Sequence, residues 1–255
     1  MDRKERVRTF FTKKAEAYSH SESQRRGRDL LRLLVLLKPT GDETVLDVAT
    51  GVGHTAIALA PLVHAVVGID LTPRMREEFE KNAAKAGVTN VSFLLGDAEA
   101  IEHPDDCYDL VTCRRAIHHF PEPDRAVAGM ARVLKPGGMG GFVDMAAPED
   151  PDGAALMNAV ESARDDSHVR ALPPSEWRTL LSGAGFEIEA EDVLPSRIPW
   201  NDWLSPMAPG GSEDEAARRL VEAATPAARA EVVEEGPEGW YFRKRRIVIA
   251  ARRRA

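Results

Sequence analysis

The chain has 255 residues, 43% of them hydrophobic, and carries 34 basic against 41 acidic side chains, a formal net charge of −7 at pH 7. That is enough apolar mass for a substantial packed core, and the acidic balance argues against nucleic acid as the partner, because phosphate binding calls for a basic domain or face. Its two cysteines, Cys107 and Cys113, lack the spacing of a zinc cluster or a disulfide framework and fit a reducing cytoplasm.

The opening residues MDRKERVRTF lack the apolar centre of a secretory signal, and the longest apolar run, LLRLLVLL at 30 to 37, is too short to span a bilayer. A cytoplasmic location without membrane insertion is expected. The first region reads as helical to about Lys38, with Leu30, Leu33, Leu34 and Leu37 on one face. From there strands and helices alternate. Strand-like runs lie at 44 to 49, 65 to 70, 91 to 95, 108 to 113 and 140 to 145, and helical stretches run from His54 to Leu62, Pro73 to Ala86 and Pro123 to Leu134. In the second helix Met75, Phe79 and Ala83 repeat on one face, while Arg76, Glu77, Glu80 and Lys81 turn outward. Lys135, Pro136, Gly137 and Gly138 form a breaker before the fifth strand.

After Pro148 the pattern predicts a loop, a helix from Ala154 to Asp165, a helix from Ser175 to Gly183 begun by a serine cap, and a strand at 186 to 193. A last strand runs from Trp240 to Ala250. The basic clusters flanking its apolar run, Arg243 to Arg246 and Arg252 to Arg254, read as solvated strand ends. Such alternation implies right-handed βαβ crossovers, an α/β fold with a parallel sheet covered on both faces, and ligands at the carboxyl ends of the strands. Three units are expected: an N-terminal helical cap over 1 to 43, a core over 44 to 194 with 240 to 255, and a helical insertion over 195 to 239 lying above the substrate site.

The chemistry concentrates at the strand ends. In VLDVATGVGHTAIALA a strand ends in Asp47, Ala49, Gly51 and Gly53 and runs into a helix, so its backbone can approach a ligand closely. Gly51, Gly53 and Ala56 also satisfy the dinucleotide pattern, which leaves a nicotinamide-dependent oxidoreductase as an alternative. Asp47 would repel a diphosphate but can accept hydrogen bonds from an ammonium; Asp70 can bind both ribose hydroxyls; Asp97 can accept from an adenine amino group. Three acids at three successive strand ends match an amino-acid head, a ribose and an adenine, without phosphate.

The segments VLDVATGVGH, VVGIDLTPRM, FLLGDAEAI, YDLVTCRRAIHHF and ARVLKPGG, in that order, resemble the class I S-adenosylmethionine-dependent methyltransferases, in the style of the ubiquinone/menaquinone C-methyltransferase group. The resemblance implies a Rossmann-like, doubly wound, mostly parallel sheet of seven strands with an antiparallel last strand. It implies S-adenosylmethionine as cofactor, S-adenosylhomocysteine as product, and a small, partly apolar acceptor methylated at carbon, oxygen or nitrogen, quinone-like compounds among the candidates. Asp47 and the turn from Ala49 through Gly51 to Gly53 would hold the methionine part, Asp70 and Leu71 the ribose, and Gly96, Asp97 and Ala98 the adenine. Met75 would pack on the adenosine, and Arg114 and Arg115 would line the reactive side. Ala49 stands where glycine is common, a departure of one methyl group.

His118 and His119, in the loop after the fourth strand, are the candidate catalytic residues, since a neutral imidazole can take a proton from a weak nucleophile. Their adjacency predicts that only one points inward, and His119 is given the larger share. Asp166, His168 and Arg170 are further candidates facing the acceptor, and Trp200 and Trp203 for an apolar wall. A non-catalytic cofactor-binding protein is the remaining alternative.

Overall fold

The computed structural model describes residues 3–205, 207–237 and 239–255. The N-terminal region is three helices, α1 (Arg3–His20), α2 (Glu22–Arg26) and α3 (Arg28–Leu37). Ser21 separates the first two and accepts from the Gln24 amide, and Gly27 separates the second pair. Leu30, Leu33 and Leu37 are buried. A β-carbon on Gly141 of the fifth strand would sit 2.8 Å from the Leu33 side chain, so glycine there lets α3 lie close against the sheet.

The alternating region follows: β1 (Thr44–Val48), α4 (His54–Leu59), β2 (Ala65–Asp70), α5 (Pro73–Ala86), β3 (Val91–Leu95), β4 (Tyr108–Arg114), α6 (Pro123–Val133) and β5 (Leu134–Met145). Beyond it come α7 (Pro151–Arg164), α8 (Pro174–Gly183), β6 (Phe186–Pro199), α9 (Trp200–Leu204), α10 (Ser212–Ala223), α11 (Pro226–Val232), β7 (Val233–Gly236) and β8 (Gly239–Arg253). The sheet order is β3-β2-β1-β4-β5-β8-β6, with β1 to β5 parallel and β8 antiparallel to both β5 and β6.

The sheet has eight strands rather than seven. The additional strand, β7, pairs with residues 239 to 242 of β8, on the side that β5 occupies farther along. The ribbon of β6 and β8 is longer than its apolar pattern indicates. β6 passes through Pro195 and ends at Pro199, and it can hold prolines because it is an edge strand whose outer amides need no partner. The Lys135 to Gly138 breaker lies inside β5 as a bulge, between the pairs Tyr108–Leu134 and Leu110–Met139.

Two start signals also differ. Asp150 caps α7 by accepting from the Gly153 amide at 2.7 Å, with Pro151 at the first helical position, so the helix begins three residues before Ala154. Ser175 does not cap α8; it sits in the first turn, where its hydroxyl and amide both donate to Glu149.

Hydrophobic cores lie on both faces of the sheet. A third core, containing Met157, Trp200, Trp203, Val221, Val232 and Phe242, joins α7 to the helices after β6. Gly53, at φ 87° before α4, is fixed by two constraints: an added β-carbon would lie 2.5 Å from the Phe79 ring and would impose a left-handed backbone on a residue bearing a side chain. Gly53→Ala is expected to lower the unfolding free energy by about 2–4 kcal/mol in a denaturant titration, with unchanged m-value.

Candidate active site

Two cavities open at the carboxyl ends of the parallel strands. The first holds about 1040 Å³ of space including its mouth. Asp47, at the end of β1, is buried there; its oxygens accept from Thr50 Oγ1 at 2.6 Å and Thr112 Oγ1 at 2.7 Å. Burial outweighs these bonds and the nearby Arg114 and pushes the carboxyl up to about 6. Asp70, at the end of β2, accepts from the Thr72 amide at 2.8 Å on one oxygen and the Gly51 amide at 2.9 Å on the other. Burial raises it as well, against those two backbone bonds. Its remaining lone pairs can receive a diol.

Ala49 and Gly51 line this cavity at positive φ, 54° and 55°; beside Gly51 no atom lies where a β-carbon would reach. At Ala49 the missing glycine therefore costs more than one methyl group, because a side-chain-bearing residue is held left-handed. Gly53 does not line the cavity; its place is fixed by Phe79. Leu71 and Met75 form one wall, and Gly96, Asp97 and Ala98 form the far end. Asp97 accepts from the Glu99 amide at 2.9 Å and pairs with Lys4 at 2.6 Å; Lys4 also meets Glu99 at 2.6 Å. Desolvation acts to lower Lys4, but the two acids hold it raised.

Lys4 belongs to α1, which closes one side of the cavity together with Phe11 and Tyr18. The side chains of Arg114 and Arg115 converge on Asp29 of α3, Arg115 through bonds of 2.7 and 2.8 Å and Arg114 through bonds of 3.2 and 3.3 Å. Burial would lift Asp29, yet the paired guanidiniums hold it far below the carboxylate range.

The second cavity, about 1500 Å³ including its mouth, lies on the other side of a shared wall. Tyr18, Gln24, Arg115 and His119 line both cavities. His118 and His119 occupy one 3₁₀ turn, with ring centroids 4.0 Å apart, and both face the second cavity, contrary to the expectation that only one could. A turn this tight keeps the adjacent rings side by side, tilted by 42°, instead of sending them apart. His118 Nδ1 lies 2.5 Å from Asp144 Oδ1, and Asp144 also accepts from the His118 and Met145 amides. Burial acts to raise Asp144, but the His118 imidazole beside it keeps it lowered. His119 Nδ1 meets the Ser167 carbonyl at 3.1 Å. Burial and then His118 drive the His119 imidazole well below its usual value, so it is neutral near pH 7.

His168 lines the second cavity, with Nε2 2.8 Å from Asn158 Oδ1; burial and His118 bring it down to about 4. Trp203 also lines it, donates to Glu161 and stacks on Phe242. Three other candidates lie elsewhere. Arg170 is exposed and paired with Glu176, Asp166 is exposed, and Trp200 is buried between Trp203 and Trp240 with its indole nitrogen donating to Asp214. For Arg170 the acid six residues ahead is the nearer attraction; for Trp200 the third core absorbs the ring.

Sequence reasoning missed the contributions of α1 and α2, the anchor Asp29, and Asp144, which carries no signal beyond lying in an apolar strand. It also read Lys244 and Arg246 as solvated. In a strand alternate residues share a face. Arg243 and Arg245 turn to Glu234 and Glu231, while Lys244 and Arg246 line the second cavity. The period of two across that cluster was the available signal.

The pattern of a methyltransferase domain family matches residues 45–138. An uncharacterised methyltransferase of Bacillus subtilis strain 168, YcgJ, is 35% identical over 215 residues, covering 84% of this chain and 83% of the relative. The chain belongs to the class I S-adenosylmethionine-dependent methyltransferases. A ubiquinone biosynthesis O-methyltransferase of Paracidovorax citrulli is 35% identical over 162 residues, 60% of this chain and 66% of that protein. The solved structure of a candidate methyltransferase from Bacillus halodurans C-125 superposes with a TM-score of 0.84 at 34% identity, covering 90% of this chain and all of that one. This methyltransferase takes S-adenosylmethionine as cofactor and methylates a small molecule. Its first cavity fits that cofactor on its own chemistry: acids at three strand ends line it, which suits a ligand carrying positive charge and ribose hydroxyls, and Asp29 engages both arginines at the rim. Among the described residues no helix is long and apolar enough to cross a membrane, and no cluster could hold a metal.

Asp47 binds its proton more tightly folded than unfolded, so its ionisation opposes folding above about pH 6 and this penalty fades as pH falls toward 4. Asp47→Asn is expected to raise the unfolding free energy by about 1–3 kcal/mol at pH 7 and to leave little difference near pH 4, measured by urea titration at both pH values.

Proposed function

We propose that the first cavity holds S-adenosylmethionine and that the second receives a small, partly apolar acceptor, with the methyl group crossing at the shared wall of Tyr18, Gln24, Arg115 and His119. The observation that carries this reading is that these four residues line both cavities. Asp47 and the turn at Ala49 and Gly51 would hold the methionine part, Asp70 and Leu71 the ribose, and Met75, Gly96, Asp97 and Ala98 the adenine. The bound cofactor supplies a methyl group on a positively charged sulfur.

The chain's own residues then align the acceptor, exclude water and remove a proton. His118 is the better-supported base. Asp144 holds its Nδ1 hydrogen, which leaves Nε2 as the acceptor and stabilises the imidazolium that forms. This moves the larger share from His119 to His118, while neutral His119 separates the cavities and orients the acceptor. Trp203 and Met145 provide apolar surface for a flat molecule, and His168 borders it. The helices after β6 cover the second cavity through α9, which supports a role in choosing the acceptor. The likeness to bacterial methyltransferases such as YcgJ supports a cytoplasmic enzyme.

S-Adenosylhomocysteine is expected to raise the thermal midpoint by several degrees and NAD to leave it unchanged; Asp70→Ala abolishes the rise. With an acceptor recovered by labelled-methyl transfer to a metabolite extract, His118→Gln and Asp144→Asn are each expected to lower kcat by about 10²-fold or more while S-adenosylhomocysteine affinity stays within about twofold. A larger loss in His119→Gln than in His118→Gln would return the base to His119.

A further inference from the structure

The second cavity has a charge pattern that methylation alone does not require. Lys244 and Arg246 stand two residues apart on β8 and both line it. Among the described residues neither side chain forms an ion pair, and the buried Nη1 of Arg246 has no hydrogen-bond partner. The anions around them are committed elsewhere. Glu161 pairs with Arg164 and accepts from Trp203, Asp165 accepts from Ser167, Asp29 takes both Arg114 and Arg115, and Asp144 holds His118. Asp202 also lines the cavity and is exposed.

Two like charges about 7 Å apart on one strand face repel each other, and a guanidinium nitrogen buried without an acceptor is costly. The cost reaches each group by its own route. Arg246 and then burial drive Lys244 well below its usual value, and burial followed by Arg115 lowers Arg246 to about 9. A folded chain keeps such an arrangement at a cost that an incoming anion removes, because a carboxylate or phosphate can bridge both donors.

Building on the reading of the second cavity as the acceptor site, we propose that the acceptor carries an anionic group, a carboxylate or a phosphate, bound between Arg246 and Lys244. Arg246 lies opposite Met145 in the ladder, the residue after Asp144. The backbone that carries Arg246 therefore runs one strand spacing, about 5 Å, from the strand that holds the His118 partner, and the side chains of Arg246 and His118 line the same cavity. Such a span suits a molecule with its acid group and its methylated atom on opposite sides of a small ring or short chain. Trp203 and Met145 offer apolar contact to the body between them.

The test is calorimetric titration of the protein, with and without saturating S-adenosylhomocysteine, using phenylacetate, phenyl phosphate and the neutral 2-phenylethanol. Quenching of Trp203 fluorescence serves as a second readout. Both anions are expected to bind at least about tenfold more tightly than the alcohol and to compete for one site, and their ratio tells carboxylate from phosphate. Lys244→Gln and Arg246→Gln are each expected to weaken the anions about tenfold while leaving S-adenosylhomocysteine affinity unchanged. Arg246→Lys, which keeps the charge, retains most of the binding if the glutamine variant fails to fold. Equal affinity for the alcohol, no anion binding by the wild-type protein, or full anion affinity in Lys244→Gln would each overturn the proposal. Loss of S-adenosylhomocysteine binding in the wild-type protein would instead overturn the reading of the first cavity.

Discussion

The site depends on one buried carboxylate. Asp29, in the first turn of α3, receives Arg114 and Arg115 from the end of β4 and so joins the N-terminal helices to the centre of the sheet. Without it, two guanidiniums would face each other at the cavity rim. Arg115 is held there at φ 58°, a strained value for a residue with a side chain, and its amide donates to Val143 at 2.6 Å. Breaking one side of such a buried pair costs about 3–5 kcal/mol, more than a surface ion pair contributes. Gly27, whose β-carbon would collide with Asp29 and approach Arg115, is the backbone counterpart of the same junction.

From that junction the two cavities take opposite electrostatic characters. Asp47, Asp70, Asp97 and Glu99 line the first, the last two sharing Lys4, and Asp47 and Asp70 lack a cationic partner among the described residues, which suits a ligand carrying an ammonium and a sulfonium. In the second, Arg115 and Arg164 are taken by Asp29 and Glu161, which leaves Lys244 and Arg246 as cations without an ion-pair partner among the described residues. Neutral and aromatic side chains, Tyr18 and His119, lie between the two cavities. With the proposed anion in the second chamber and the cofactor's cation in the first, the two ligands would attract each other across the thin wall.

Much of the fold was legible. The strands β1 to β4 and the helix α5 fall within a residue or two of their apolar patterns, because a buried parallel strand or an amphipathic helix leaves a local periodic signature. Gly51, Asp70 and Asp97 were legible for the same reason: they sit at fixed offsets from those strand ends. What escaped was set by contacts between distant segments. α1 carries no strong amphipathic pattern, yet Lys4, Phe11 and Tyr18 reach the cavity because α1 packs against α5, where Ser19 Oγ donates to Asn82 Oδ1. Trp200 and Arg170 were plausible by residue type, but a core and a neighbouring glutamate claimed them. The β8 cluster was readable in principle, although a run of four basic residues suggests solvent until its alternation is set against the sheet.

Strand β8 is hydrogen-bonded to β5 and β6 along the stretch that carries Arg246. A positive charge mounted on a loop could drift toward water when no ligand is near; this one is fastened on both flanks, so its backbone has no retreat. The resulting field is fixed at synthesis of the fold rather than assembled at each turnover. Swapping the helices after β6 for others would then reshape the room around that charge without moving it, leaving the lineage free to change the body of its acceptor while keeping the same electrostatic handle.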